Sequence, residues 1–143
     1  MTELSLEITR HIPHPPERVF DAWLDSELLA KFMVPGPGVT ITEAKVNPKV
    51  GGQFLIMMRV PEAGDLPHTG AYRVIDRPNQ LAFTWVSQNS QEDSLVTLDF
   101  APKDGGTDLT LRHVRFPSEQ SRDDHNGGWS RILDALAGLE VAA

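Results

Sequence analysis

The chain has 143 residues, 40% of them hydrophobic, enough for one domain around a single core and too few for two. Its 20 acidic residues against 13 basic ones give a formal net charge of -7, which repels phosphate backbones and anionic lipid surfaces, so neither nucleic acid nor membrane is expected as a partner. With no cysteine, disulfides, thiolate nucleophiles and Cys-ligated zinc are excluded, and any chemistry falls to histidine and carboxylates.

The first ten residues are charged and lack the apolar core of a signal peptide, and no segment approaches the ~18 apolar residues of a membrane span, which predicts a soluble cytoplasmic protein. From Glu3 onward Leu4, Leu6, Ile8 and then Ile12 fall mostly at a period of two, predicting a strand with one buried face. His14-Pro15-Pro16 ends it. Proline suits the first turn of a helix, and Val19, Ala22 and Trp23 recur at helical spacing, so residues 16 to about 24 are predicted as a short amphipathic helix. Asp25 or Ser26 caps a second one, with Leu28, Leu29 and Phe32 on one side, before the loop Pro35-Gly36-Pro37-Gly38.

Five or six β segments follow, at about 40–46, 53–60, 69–76, 81–87, 94–101 and 108–116. Turn formers bound them, as at Asn47-Pro48, Gly51-Gly52, Asp76-Arg77-Pro78-Asn79 and Asp104-Gly105-Gly106. Short links favour antiparallel hairpins, and no proline is placed at the centre of a run. After Pro117 a helix is predicted, capped by Ser118 or by Ser121 in a capping box with Asp124. Trp129, Ile132, Leu133, Leu136 and Leu139 form its apolar stripe. Gly127 and Gly128 leave two readings: they lie inside this helix at about 1 kcal/mol each relative to alanine, or the helix starts only at Trp129.

Five stretches in this order carry a family resemblance: Pro15-Pro16-Glu17-Arg18-Val19-Phe20-Asp21-Ala22-Trp23, Gly51-Gly52-Gln53-Phe54, Leu81-Ala82-Phe83-Thr84-Trp85, Gly106-Thr107-Asp108-Leu109-Thr110-Leu111, and Gly127-Gly128-Trp129 with the Leu-rich tail. The chain resembles the activator of heat-shock protein 90 ATPase homologue family, within the START-like or SRPBCC (birch-pollen-allergen-like) superfamily. That resemblance implies an α+β helix-grip fold, in which a curved antiparallel sheet of about seven strands wraps a long C-terminal helix around an apolar cavity. It also implies two short helices after the first strand. Where such proteins usually carry a tryptophan at the end of the second helix, this chain has Phe32-Met33, so the cavity mouth there is expected to differ. The eukaryotic co-chaperone of the family has an additional chaperone-binding domain, and these 143 residues are not expected to accommodate it.

Alternation along each strand assigns one parity to the core. The inward residues are predicted to be Phe54, Ile56 and Met58; Tyr72 and Val74; Leu81, Phe83 and Trp85; Val96, Leu98 and Phe100; and Leu109, Leu111 and His113. Most should simply pack the core. The expected ligand-binding set is Phe32, Phe54, Ile56, Met58, Tyr72, Phe83, Trp85, Leu98, His113, Trp129 and Leu133, with no cofactor, metal or catalytic group assigned. Adaptable methionine, flat aromatic faces and one imidazole suit an apolar ligand with one polar end, which His113 would meet. Burying ~200 Å² of apolar surface gains about 5 kcal/mol before ordering costs, so tight binding needs polar complementarity. His11, His14, His68 and His125 are placed in or beside loops as solvent-exposed residues, Asp123-Asp124 serves the helix start, and no metal-ligand spacing occurs.

Binding of a small hydrophobic molecule is therefore the leading expectation. The alternatives are a chaperone-associated interaction module, as the resemblance implies, and a cofactor-free cyclase- or dehydratase-like enzyme using His113 and Tyr72. Exposed apolar residues on an edge strand would allow a homodimer.

Overall fold

The computed structural model describes residues 4–36, 38–61, 64–87 and 94–139. Its elements are β1 (Ser5–Ile12), α1 (Pro16–Ala22), α2 (Ser26–Phe32), β2 (Thr40–Val46), β3 (Gln53–Val60), β4 (Gly64–Asp76), β5 (Gln80–Thr84), β6 (Leu95–Lys103), β7 (Gly106–Val114) and α3 (Glu119–Ala137). Glu3, predicted to open the first strand, and Pro37, in the predicted loop, lie outside the described residues. The seven strands form one curved antiparallel sheet in the order β1-β7-β6-β5-β4-β3-β2, gripping α3. This is the helix-grip arrangement of an α+β fold.

Local chemistry sets the joints. Asp104 and Gly105 both take positive φ (50 and 78°), making the two-residue turn whose twist matches a β hairpin, and Lys103 pairs with Gly106 to close it. Asp25 Oδ1 accepts from the Glu27 and Leu28 amides at 2.9 and 3.2 Å, capping α2. At α3 the cap is Ser118, whose hydroxyl accepts from the Ser121 amide at 3.1 Å; Ser121 sits within the helix, and Asp124 accepts from Gln120 instead of forming a capping box. The helix runs through Gly127 and Gly128, so the reading that starts it at Trp129 is wrong.

Alternation on the strands is as predicted for Phe54, Ile56, Met58, Leu81, Phe83, Trp85, Val96, Leu98, Phe100, Leu109, Leu111 and His113, all buried. Val74 is the exception. The β4–β5 register shifts between Tyr72 and Val74, and the extra residue reverses the facing of the strand beyond it, so Ile75 rather than Val74 packs against the core.

The fourth strand also begins at Gly64, five residues before the predicted start, so that Pro67, expected outside the run, lies within the first part of the strand, away from its centre. It is tolerated because its nitrogen faces away from β3. Thr69, two residues on and of the same parity, gives its amide to Val86 on the β5 side at 3.0 Å, and at Pro67 that side lies past the bridge.

Trp129, Ile132, Leu133 and Leu136 are buried along α3. Arg10 of β1 ties the helix down from outside the core, donating to the Ser130 hydroxyl at 2.7 Å and pairing with Asp134 at 3.1 Å. Among the described residues no helix is long and apolar enough to cross a membrane.

Candidate functional site

The widest part of the grip is filled by rings. Trp23, Phe54, Tyr72, Phe83, Trp85 and Trp129 touch one another at centroid separations of 4.9–6.4 Å. They leave an inner void of about 10 Å³, bounded by Trp23, Leu29, Met33, Phe54, Ile56, Tyr72, Phe83 and Trp85. That is room for about one water molecule.

The usable space lies at one end. A half-open cleft of about 160 Å³ is lined by Pro35, Met58, His68, Trp85, Asp124, His125, Gly128, Trp129 and Ile132. β3 and β4 supply Met58 and His68, the residue just after β5 supplies Trp85, and α3 closes the other side. Trp85 is shared by both spaces and forms the wall between them.

Of the expected ligand-binding set, Met58, Trp85 and Trp129 line the cleft, while Phe54, Ile56, Tyr72, Phe83 and again Trp85 line the inner void. Phe32, Leu98 and Leu133 are fully buried core residues, on the wall of neither space. His113 is fully buried too and stands behind the cleft, accepting from the Trp129 indole N–H at Nδ1 over 3.1 Å. That bond fixes the proton on Nε2, which is buried without a hydrogen-bond partner. Burial, with the nearby His125 adding to it, holds its pKa down at about 3. Tyr72 is not hydrogen-bonded to it; burial pushes the Tyr72 phenol up, and its ring packs on Phe54 and Phe83.

Two histidines expected in solvent are instead half-buried and line the cleft. His68 belongs to β4; its ring lies 5.3 Å from that of Trp85, and Nδ1 donates to the Leu66 carbonyl at 3.1 Å. His125, on α3, donates from Nδ1 to the Ser121 carbonyl at 2.7 Å and stands edge-on to His113 at 5.2 Å. Burial lowers both pKa values. For His68 the proximity of His125 adds to the effect while the Leu66 and Ile56 carbonyls oppose it; for His125 the Ser121 carbonyl and Asp124 oppose it. His14, also half-buried, donates to the Leu139 carbonyl at 2.7 Å, whereas His11 is exposed and pairs with Asp108.

The missed residues carried a signal. Counting back from Tyr72 by twos reaches Gly70 and His68, and His125 stands four residues before Trp129, on the same helix face. Gly128 also gains a role, since a side chain there would meet the Pro35 Cβ at 3.2 Å. Among the described residues no group of three His, Asp or Glu side chains is placed to hold a metal ion.

A family model described as Activator of Hsp90 ATPase homolog 1-like protein matches residues 13–139. A solved structure from Chromobacterium violaceum is 25% identical with a TM-score of 0.85, over 94% of each chain. An AHSA1-like protein from Aeromonas hydrophila is 25% identical with a TM-score of 0.78, over 94% of this chain and 90% of that one. A structure from Plasmodium falciparum described as an HSP90 activator is 28% identical with a TM-score of 0.71, over 92% and 91%. No curated protein matches the chain.

Proposed function

The chain belongs to the family of Activator of Hsp90 ATPase homolog 1-like proteins, and from that premise we propose that it acts as one helix-grip domain binding a small hydrophobic molecule in the cleft between sheet and C-terminal helix. The observation that carries this reading is the 160 Å³ space walled by Met58, Trp85, Trp129 and Ile132. A cavity of about 150 Å³ holds one benzene ring, so the ligand is a single ring or a short branched chain. An apolar ring burying ~200 Å² gains about 5 kcal/mol before ordering costs, which puts its affinity in roughly the millimolar range unless polar groups add to it.

The test is a titration with anisole, followed by the indole N–H resonances of Trp85 and Trp129. Saturable shifts confined to the cleft support the reading. A protein whose spectrum stays unchanged up to the solubility limit would overturn it.

A second reading has its own support in the likeness to the Plasmodium falciparum structure described as an HSP90 activator. Here the chain would bind a chaperone through its outer surface. Stimulated ATP turnover by a purified Hsp90 on adding this protein is the expected sign, and unchanged turnover with no complex on size exclusion removes it.

A further inference from the structure

Three polar side chains reach the wall of the cleft: His68, His125 and Asp124. Each backbone carbonyl that meets an imidazole here can only accept, so the nitrogen facing it must carry the proton. In His125 the Ser121 carbonyl claims Nδ1 at 2.7 Å, leaving Nε2 as a bare lone pair with no partner among the described residues. In His68 the Leu66 carbonyl claims Nδ1 in the same way, but the Ile56 carbonyl also meets this ring, which makes His68 the lesser acceptor. Asp124, held by Gln120 at 2.9 Å, is also an acceptor. These three side chains therefore turn acceptors toward the cleft, while the indole N–H of Trp129 is taken by His113 and that of Trp85, which also lines the cleft, is buried.

We infer that the cleft selects, among ring-sized apolar molecules, those that bring a neutral hydroxyl donor, namely simple phenols, with His125 as the principal acceptor and His68 as its companion. The inference rests on the cleft-binding reading above and names its ligand class. Carboxylates are the wrong partners, since they bring a further acceptor into a site already carrying Asp124, in a chain of net charge -7. Burial keeps both imidazoles uncharged near neutral pH, which removes the cation that would have drawn an anion in.

Phenol, anisole, benzoate and benzylammonium share one ring and differ in what they bring to that wall. Titrated at pH 7.5 with the indole N–H signals as readout, phenol should bind about fivefold tighter than anisole, the worth of one net hydrogen bond. Benzoate should bind weaker than either, and benzylammonium no tighter than phenol. His125→Leu should bring the phenol-to-anisole affinity ratio to about one, whatever it does to ring binding as such, and His68→Leu, made in case the first variant does not fold, should narrow the same ratio.

If anisole and phenol bind equally, or the ratio survives both substitutions, the inference is wrong while the cleft still binds rings. Tightest binding by benzoate or benzylammonium overturns it too, assigning the preference to charge. Should none of the four bind, the cleft-binding reading fails and takes the inference with it.

Discussion

The indole N–H of Trp129 donates to Nδ1 of His113 across 3.1 Å inside the core, so the ring that walls the cleft is held by a histidine that never reaches it. The bond fixes the histidine proton on Nε2, where it finds no acceptor. Replacing His113 by phenylalanine exchanges one unsatisfied donor for another, because the Trp129 N–H then loses its acceptor. At pH 7 stability should change by less than ~1.5 kcal/mol.

Acid separates the two proteins. The His113 pKa is depressed to about 3 in the folded state, against about 6.5 unfolded. Above that upper value neither state takes a proton and nothing is lost. As pH falls below it, the unfolded chain binds a proton that the fold refuses, and stability drops by up to about 1.4 kcal/mol per pH unit until the lower value is reached. Between pH 7 and pH 5 the stability difference should therefore shift by about 2 kcal/mol in favour of His113→Phe, with a residual slope in both proteins from His68 and His125. Urea denaturation of both proteins at pH 7 and pH 5 checks the shift.

Trp85→Ala removes the wall between cleft and inner void. It should cost about 3–5 kcal/mol, as buried aromatic truncations do, and leave one enlarged space. A two-ring ligand such as naphthol, excluded from the parent, should then produce saturable shifts of the Trp129 indole signal. Thermal unfolding and that titration together check both halves.

The two helical glycines should respond differently to alanine. At Gly127 a new Cβ meets nothing within 4 Å, so the helix gains about 1 kcal/mol. At Gly128 the same carbon would press on Pro35 at 3.2 Å, and the gain should be smaller or reversed. Comparison of the two melting temperatures gives the order.

Asp25→Ala removes the cap whose carboxylate oxygen serves two α2 amides. A loss of about 1 kcal/mol is expected, measured by urea unfolding. Asp25→Ser should recover most of it.

The architecture was legible because its signals are local: period-two runs from Phe54 to Met58 and from Leu109 to His113, turn formers between them, and a helical stripe from Trp129 to Leu136. What escaped depends on non-local geometry. The register shift beside Tyr72 turned Val74 away from the core, and no sequence rule marks a bulge there. Gly64 and Pro67 look like turn residues, which hid the early part of β4 and with it His68. Gly127 and Gly128 look like a helix boundary, which obscured the common face of His125 and Trp129. His113 had the right parity and the wrong role, since parity says that a side chain points inward and nothing about which neighbours stand between it and an opening. The division of space by Trp85 comes from how large rings settle against one another, a matter of volume.

Pro67 has a bearing on colloidal behaviour. Along the part of β4 that outruns β5, the outward amides alternate at Asp65, Pro67 and Thr69; the last already serves Val86, and the middle one does not exist. A foreign strand laid against this overhang would find a single donor in five residues, too few to zip. Fibrillar polymerisation by this route is thereby discouraged at concentrations where a valine in place of the proline would offer a sticky flank.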